Sequence, residues 1–217
     1  EDIHSFEFSY MKYFAGLTLT SSVYYRQVND VVEAVQSVID NTTTLTQFIN
    51  LTKNRASGLE LIGRADISKA VNITGNVNVF YNKFFGNATY GIESNSGYNW
   101  TSNLSSSIKL PYNLSAQING NYMAPRVSPQ GKRNAMWGAD AALKLDVLKK
   151  KGSISFNIRD MFNSRKWGSF IETQLFSRES QRRMQGRLST LTFTYRFGKS
   201  DLPQRKKRDN GDESNQM

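Results

Sequence analysis

The sequence predicts an all-β chain, an antiparallel up-and-down transmembrane β-barrel of which these 217 residues supply a partial wall of about nine strands. Three observations carry that prediction. Nine segments alternate apolar and polar residues with a period of two. Their connections alternate short and long, as in outer-membrane barrels with short periplasmic turns and long outer loops. The segments run to about 10–13 residues, which exceeds the soluble norm of about 5–6 and suits a tilted bilayer crossing.

The first segment, Ser5 to Tyr13, sets Phe6, Phe8 and Tyr10 against Ser5, Glu7 and Ser9, and Phe14-Ala15-Gly16 turns it. Leu17 to Asn29 carries Leu17, Leu19, Val23 and Tyr25 on one face, opposite Thr18, Thr20, Ser22, Tyr24 and Arg26. Val31 to Thr46 loses the alternation, becomes rich in Asn and Thr, and reads as a long loop. The third segment ends with Leu59, Leu61, Gly63, Ala65 and Ile67 against Glu60, Arg64 and Asp66, and Ser68-Lys69-Ala70 turns it. Val71 to Asn82 opposes Val71, Ile73, Val77, Val79 and Tyr81 to Asn72, Thr74, Asn76, Asn78 and Asn82. Buried amides each need several partners, so a face with that many asparagines is a wet face.

A Gly/Asn-rich loop from Phe85 to Gly97 precedes Tyr98 to Leu110, and Pro111-Tyr112-Asn113 is expected to be a turn of ordinary type. Leu114 to Met123 sets Leu114, Ala116, Ile118 and Tyr122 against Ser115, Gln117, Asn119 and Asn121. Pro125 to Asn134 reads as a loop, and Ala135 to Leu145 alternates again. Lys149-Lys150-Lys151-Gly152 turns the chain into Ser153 to Phe162, where Ile154, Phe156 and Ile158 oppose Ser155, Asn157 and Arg159. A basic loop from Asn163 to Gln185 leads to the closing strand, Arg187 to Phe197, with Leu191, Phe193, Tyr195 and Phe197 on one face. Residues 1–198 are thus read as barrel wall, and residues 199–217 as a disordered polar periplasmic tail.

Aromatics near the ends of the apolar faces, among them Tyr81, Trp100, Tyr122, Trp137 and Tyr195, suit an interfacial girdle. Bacterial single-chain barrels have an even number of strands. A count of nine therefore predicts an incomplete wall, with further strands before Glu1 and an open edge at Arg187 to Phe197.

Composition narrows the function. No run of 18 apolar residues occurs and mean hydropathy is -0.53, which excludes helical membrane spans. With no cysteine there is no disulfide and no thiolate metal site. An enzyme reading lacks parts, because His4 is the sole imidazole and Gly198-Lys199-Ser200 lacks the glycine spacing of a phosphate loop. No cofactor is called for. The net charge of +10 suits solubility or an anionic partner. Arg205-Lys206-Lys207-Arg208 is diluted by Asp201, Asp209, Asp212 and Glu213 and has no interleaved aromatic, so nucleic acid is not expected. Seven Asn-x-Ser/Thr triplets follow from strands rich in those residues and do not indicate glycosylation.

Several short stretches fall in a recognisable order: Ser22-Val23-Tyr24-Tyr25-Arg26 with Asp30, Gly58-Leu59-Glu60-Leu61, Leu110-Pro111 and Gly120-Asn121-Tyr122-Met123-Ala124-Pro125. Asp160-Met161-Phe162-Asn163 and Leu191 to Lys199 complete the set. In that order the chain resembles the C-terminal barrel part of TonB-dependent outer-membrane receptors, within the outer-membrane protein β-barrel group related to SusC-like proteins. The resemblance implies a barrel of about 22 strands around a plug domain. It also implies energised nutrient import, of a siderophore, glycan or similar cargo, driven by TonB with ExbB and ExbD. Implied partners are outer-membrane lipid and lipopolysaccharide, the plug and remaining strands of the parent protein, the barrel assembly machinery and a surface lipoprotein.

On this reading Glu60, Arg64, Asn72, Asn76, Asn78, Asn119, Asn121 and Arg159 face the lumen and are candidates for plug or substrate contact. The 163–187 stretch holds six cations against two carboxylates, and Arg178, Arg182 and Arg183 are candidates for lipopolysaccharide or another anion. Phe193, Tyr195 and Phe197 form the C-terminal assembly signal. Two alternatives stand beside this reading: a small passive or structural outer-membrane barrel, and a soluble β-rich adhesion domain.

Overall fold

A computed structural model describes residues 1–40, 43–50, 53–88, 92–173, 176–183 and 185–197. The tail expected at 199–217 lies outside them. In chain order the strands are β1 (Asp2–Phe14), β2 (Leu17–Asn29), β3 (Val32–Val38), β4 (Thr44–Asn50), β5 (Lys53–Asp66), β6 (Val71–Phe85), β7 (Asn95–Leu110) and β8 (Leu114–Met123). They continue as β9 (Arg126–Ser128), β10 (Gly131–Arg133), β11 (Met136–Val147), β12 (Gly152–Arg159), β13 (Lys166–Glu172), β14 (Ser177–Arg183) and β15 (Leu188–Tyr195).

Nine of these make one antiparallel sheet in the order β1-β2-β5-β6-β7-β8-β11-β12-β15. This is the expected partial wall, each strand paired with its neighbour along the chain once the long connections are set aside. The sheet does not close. Among the described residues β1 pairs only with β2 and β15 only with β12, so the closing strand is an open edge as expected.

Register explains why the alternation is so strict. Phe8, Val23, Leu59, Val79 and Trp100 share one rung across five strands, and a slip of one residue would turn a whole strand over. This side is not covered by protein. Phe8 is 75% exposed, Leu104 56% and Leu191 73%. A soluble sheet would bury such a row against a second layer, so the apolar face is an outward face without a protein core. The opposite face carries the asparagines and serines.

Short turns stand at one end of the wall and long connections at the other. The turn expected to be ordinary at Pro111-Tyr112-Asn113 has Tyr112 at φ 60 and Asn113 at φ 58, with the Leu114 amide donating to the Pro111 carbonyl (3.3 Å). Left-handed torsions at both central residues match the twist of paired strands, and that demand overrides the preferences of Pro and Tyr. Leu148, Lys149 and Lys150 are also left-handed, at φ 53, 54 and 69, in the tight link from β11 to β12.

The three stretches expected to be loops around residues 31–46, 125–134 and 163–185 each contain a hairpin. β3 pairs with β4, and β9, β10, β13 and β14 form a second sheet in the order β14-β13-β10-β9. These strands hide from a period-two reading because their apolar residues do not keep to one face, or because charge dominates, as in Ser177–Arg183. The hairpins are joined to one another. The Gln36 amide donates to Gln130 Oε1 (2.8 Å), Gln130 Nε2 returns a bond to the Gln36 carbonyl (2.9 Å), and Arg178 reaches Gln36 Oε1 (3.0 Å). Val35, Ile49 and Ile92 form a small buried apolar cluster here, so what core the described chain has lies in the rim and not in the wall.

Candidate functional site

The polar face is the candidate site, and strand parity assembles it. All eight residues expected to face the lumen lie on this one side of the nine-stranded sheet. Asn76, Asn103 and Asn121 stand in one rung, and Arg64, Thr74, Ser105, Asn119 and Asp140 in the next. Gly58 lets this face close up locally: a Cβ there would lie 2.6 Å from Phe80 Cβ and 2.8 Å from the Tyr24 ring. Tyr24 uses the space to donate its hydroxyl to Asn78 Oδ1 (3.1 Å).

The candidates largely bond to each other and to the wall. Asn103 Nδ2 donates to Asn76 Oδ1 (3.0 Å), and Asn76 Nδ2 donates to Glu60 Oε1 (3.4 Å). Asn119 Oδ1 accepts from Ser105 (2.7 Å) and Gln117 (3.2 Å), while Asn72 Nδ2 bonds to Asp66. A hollow of about 380 Å³ between Ile62, Asn76, Asn103 and Asn121 occupies the middle of the face. A second, about 320 Å³, lies at the short-turn end beside Arg64, Lys69, Asn72 and Lys109. The walls of the first are mainly apolar and those of the second mainly polar. Arg159 ends β12 on the same side, apart from both hollows.

A feature that sequence reasoning did not assemble spans four elements. Arg165, just past β12, folds back over the polar face and presents a two-pronged fork to Asp140, with Nη1 2.7 Å from Oδ1 and Nη2 2.8 Å from Oδ2. Nη2 also donates to Asn121 Oδ1 (3.0 Å). Gly138 provides the room, since a Cβ there would lie 2.5 Å from Arg165 Nε. The fork is aimed by Asp160, which is only 2% exposed. Its carboxylate accepts from the Ser164 amide (2.9 Å) and the Arg165 amide (3.2 Å), and its own amide donates to Asp140 Oδ1 (2.8 Å). The pairing with Asp140 holds the Arg165 guanidinium above its usual range, more than burial lowers it. Asp160 is therefore an acceptor that pins a loop. Only parity-matched polar residues at Asn121 and Asp140 hinted at this latch.

At the long-connection end, β3 and the β9–β10 hairpin cover a smaller cavity of about 140 Å³ lined by Glu33, Phe80, Asn82, Asn99, Arg126 and Arg133. Burial pushes the Glu33 carboxyl up, against the pull of Arg133 and Arg126. Burial and the Arg133 charge together push Arg126 down. Asn82 and Asn99 each keep a buried side-chain oxygen with no protein donor, and Asn99 is 3% exposed.

The three arginines expected to bind an anion are not brought together. All sit on β14, where Arg178 and Arg182 share one face and Arg183 points to the other. Phe193 and Tyr195 lie on the outward face of β15, and Tyr195 meets the Phe197 ring edge-on at 4.7 Å. Among the described residues no group of three His, Cys, Asp or Glu side chains could hold a metal.

Comparison with solved structures gives the same architecture. The chain is similar to the ferric yersiniabactin uptake receptor FyuA from Yersinia pestis, with TM-score 0.62 and 17% identity over 88% of this chain and 29% of that one. It is similar also to the FrpB iron transporter from Neisseria meningitidis (F3-3 variant), with TM-score 0.56 and 16% identity over 90% of this chain and 30% of that one. At such identities the likeness is one of fold, and the chain spans under a third of either protein. Comparison with curated proteins gives no match. A family model, by contrast, covers residues 1–195. An open, two-faced wall of nine strands and that match agree: the chain belongs to the outer membrane protein beta-barrel family.

Proposed function

We propose that this chain is the C-terminal barrel wall of a TonB-dependent outer-membrane receptor, and that the parent protein imports a nutrient such as a siderophore or glycan. The single observation that carries the reading is the nine-stranded sheet with a bare apolar outer face, a polar inner face and two open edges. In hydrocarbon an unpaired strand edge costs several kcal/mol for each unsatisfied backbone group, so such a wall calls for further strands. The similar chains, an uptake receptor and an iron transporter, are each long enough to supply them. A passive barrel complete in itself has no counterpart for the open edges.

In this reading the long connections face outside and the short turns and tail face the periplasm. The polar face, with Glu60, Arg64, Asn72, Asn76, Asn78, Asn119, Asn121 and Arg159, faces a plug and passing substrate. Phe193, Tyr195 and Phe197 present the end that the barrel assembly machinery reads. TonB, ExbB and ExbD act through the parent protein, and a surface lipoprotein pairs with its outer rim.

The test is uptake. Cells deleted for the gene should lose growth on one nutrient class, regain it with the intact gene, and lose it again when TonB is removed. Uptake that persists without TonB would sink the energised-import reading.

A further inference from the structure

The outward face changes character beyond its aromatic row. Phe6, Tyr25, Tyr81 and Tyr98 stand in one rung across the sheet. In the next two outward-facing rungs toward the long connections, Arg55 lies opposite Lys83 and Lys53 lies opposite Phe85. Their parity is that of Leu59 and Val79, so all four side chains project from the apolar side of the sheet. The Phe85 ring gathers the three cations, with Lys83 Nζ 4.9 Å, Arg55 Cζ 5.1 Å and Lys53 Nζ 6.0 Å from its centroid.

Like charges directly opposite on neighbouring strands repel, and here a third is added. Among the described residues no carboxylate lies within ion-pair distance of any of them. Arg55 donates Nε to Gln27 Oε1 (2.9 Å), which orients the guanidinium without neutralising it. The ring's negative face offsets part of the repulsion but supplies no net charge. Among the described residues a triple positive charge is therefore held together with no carboxylate paired to it.

Its depth says which counterion fits. Aromatic rows mark the boundary between hydrocarbon and headgroups. Two and four residues beyond Tyr81, at about 3.4 Å per residue and a tilt of about 45°, lie about 5 and 10 Å further along the membrane normal. That span overlaps and just exceeds the headgroup layer of about 5–7 Å per leaflet.

We propose that Lys53, Arg55 and Lys83, gathered on the Phe85 ring, bind the phosphate of a phosphorylated glycolipid headgroup in the outer leaflet. Assignment to that leaflet rests on the reading that the long connections face outside. The site replaces Arg178, Arg182 and Arg183 as the lipid contact. Those three belong to a separate sheet, split across its two faces, and Arg178 is engaged with Gln36.

The test uses the protein extracted from outer membranes in mild detergent, with co-purifying lipid measured by native mass spectrometry and phosphate assay. The triple variant Lys53→Gln, Arg55→Gln, Lys83→Gln should retain on the order of a hundredfold less phosphorylated glycolipid, in keeping with the loss of three surface cations. Neutralising Arg178, Arg182 and Arg183 should leave retention unchanged. Phe85→Leu, which keeps the charges, should lose about threefold. Unaltered heat-dependent gel migration certifies that each variant is folded. Full retention by the first triple variant overturns the proposal. Loss of phospholipid with the glycolipid kept moves the site to the other leaflet and overturns it as stated. Protease access to the long connections in intact cells checks the orientation separately, so the two failures can be told apart.

Discussion

The two faces of the wall are built from adjacent residues of the same strands, yet they solve opposite problems. Val77 and Val79 look outward and touch no second layer, while Asn76 and Asn78 look inward and are bonded to Glu60, Asn103 and Tyr24. The outward face relies on a solvent that is itself apolar, so it needs bulk and no partners. The inward face sits in water and uses side-chain bonds to fix which polar atoms remain on offer. A barrel wall is thus stabilised from one side and specified from the other.

The sharpest way to break this comparison is to put the same residue on each face. Val77→Arg at mid-height should cost about 2–4 kcal/mol, the penalty for a cation at the bilayer midplane. Asn76→Arg, one residue away, should cost within about 1 kcal/mol, the scale of the hydrogen bonds it loses. Urea unfolding of the protein in lipid vesicles, followed by tryptophan fluorescence, measures both. Equal costs would mean that the apolar side does not face lipid.

Next in size is the latch. Arg165→Ala should destabilise by about 1.5–3 kcal/mol, because Asp140 and Asn121 lose charge-assisted bonds in a partly buried place. Gly138→Ala should push the same guanidinium aside. The double variant should then cost little more than either single one, since both remove one interaction. Simple additivity would show that Gly138 has no part in seating Arg165.

The smallest effect belongs to the short-turn end. Tyr112 pays the left-handed penalty that glycine escapes, so Tyr112→Gly should raise stability by up to about 1 kcal/mol in the same urea unfolding measurement. A loss of stability would mean that the Tyr112 side chain, 92% exposed, has a contact in the membrane interface.

The wall was legible because its period survives every strand: Leu17–Asn29 and Leu114–Met123 fall on the predicted bounds, and the open edge at β15 follows from an odd count. The rim was not. In Val32–Val38 and Thr44–Asn50 apolar residues fall on both faces, and Ser177–Arg183 is mostly charged, so pairing there is decided by tertiary context. The inner face was legible as a set of residues but not as a network. Parity gives a side, whereas the bond from Arg165 to Asn121, 44 positions apart, needs register and a loop path that no single strand encodes. The cations around Phe85 went unseen for a related reason, since Lys53, Arg55 and Lys83 lie at strand ends beyond the legible alternation, and only the register brings them together.

The clasp between Gln36 and Gln130 bears on how this chain tolerates change in length. It ties three long connections to a common knot, the first and third running on to tips beyond Val38 and beyond Glu172, while the second turns at Gln130 itself. Loop closure grows only slowly with length, so residues added at those tips cost little. The same residues added beside Gln36 or Gln130 would pull the knot apart. Insertions in the long connections thus have assigned places, and the rim can be rewritten at its tips while the fastening beneath keeps its shape.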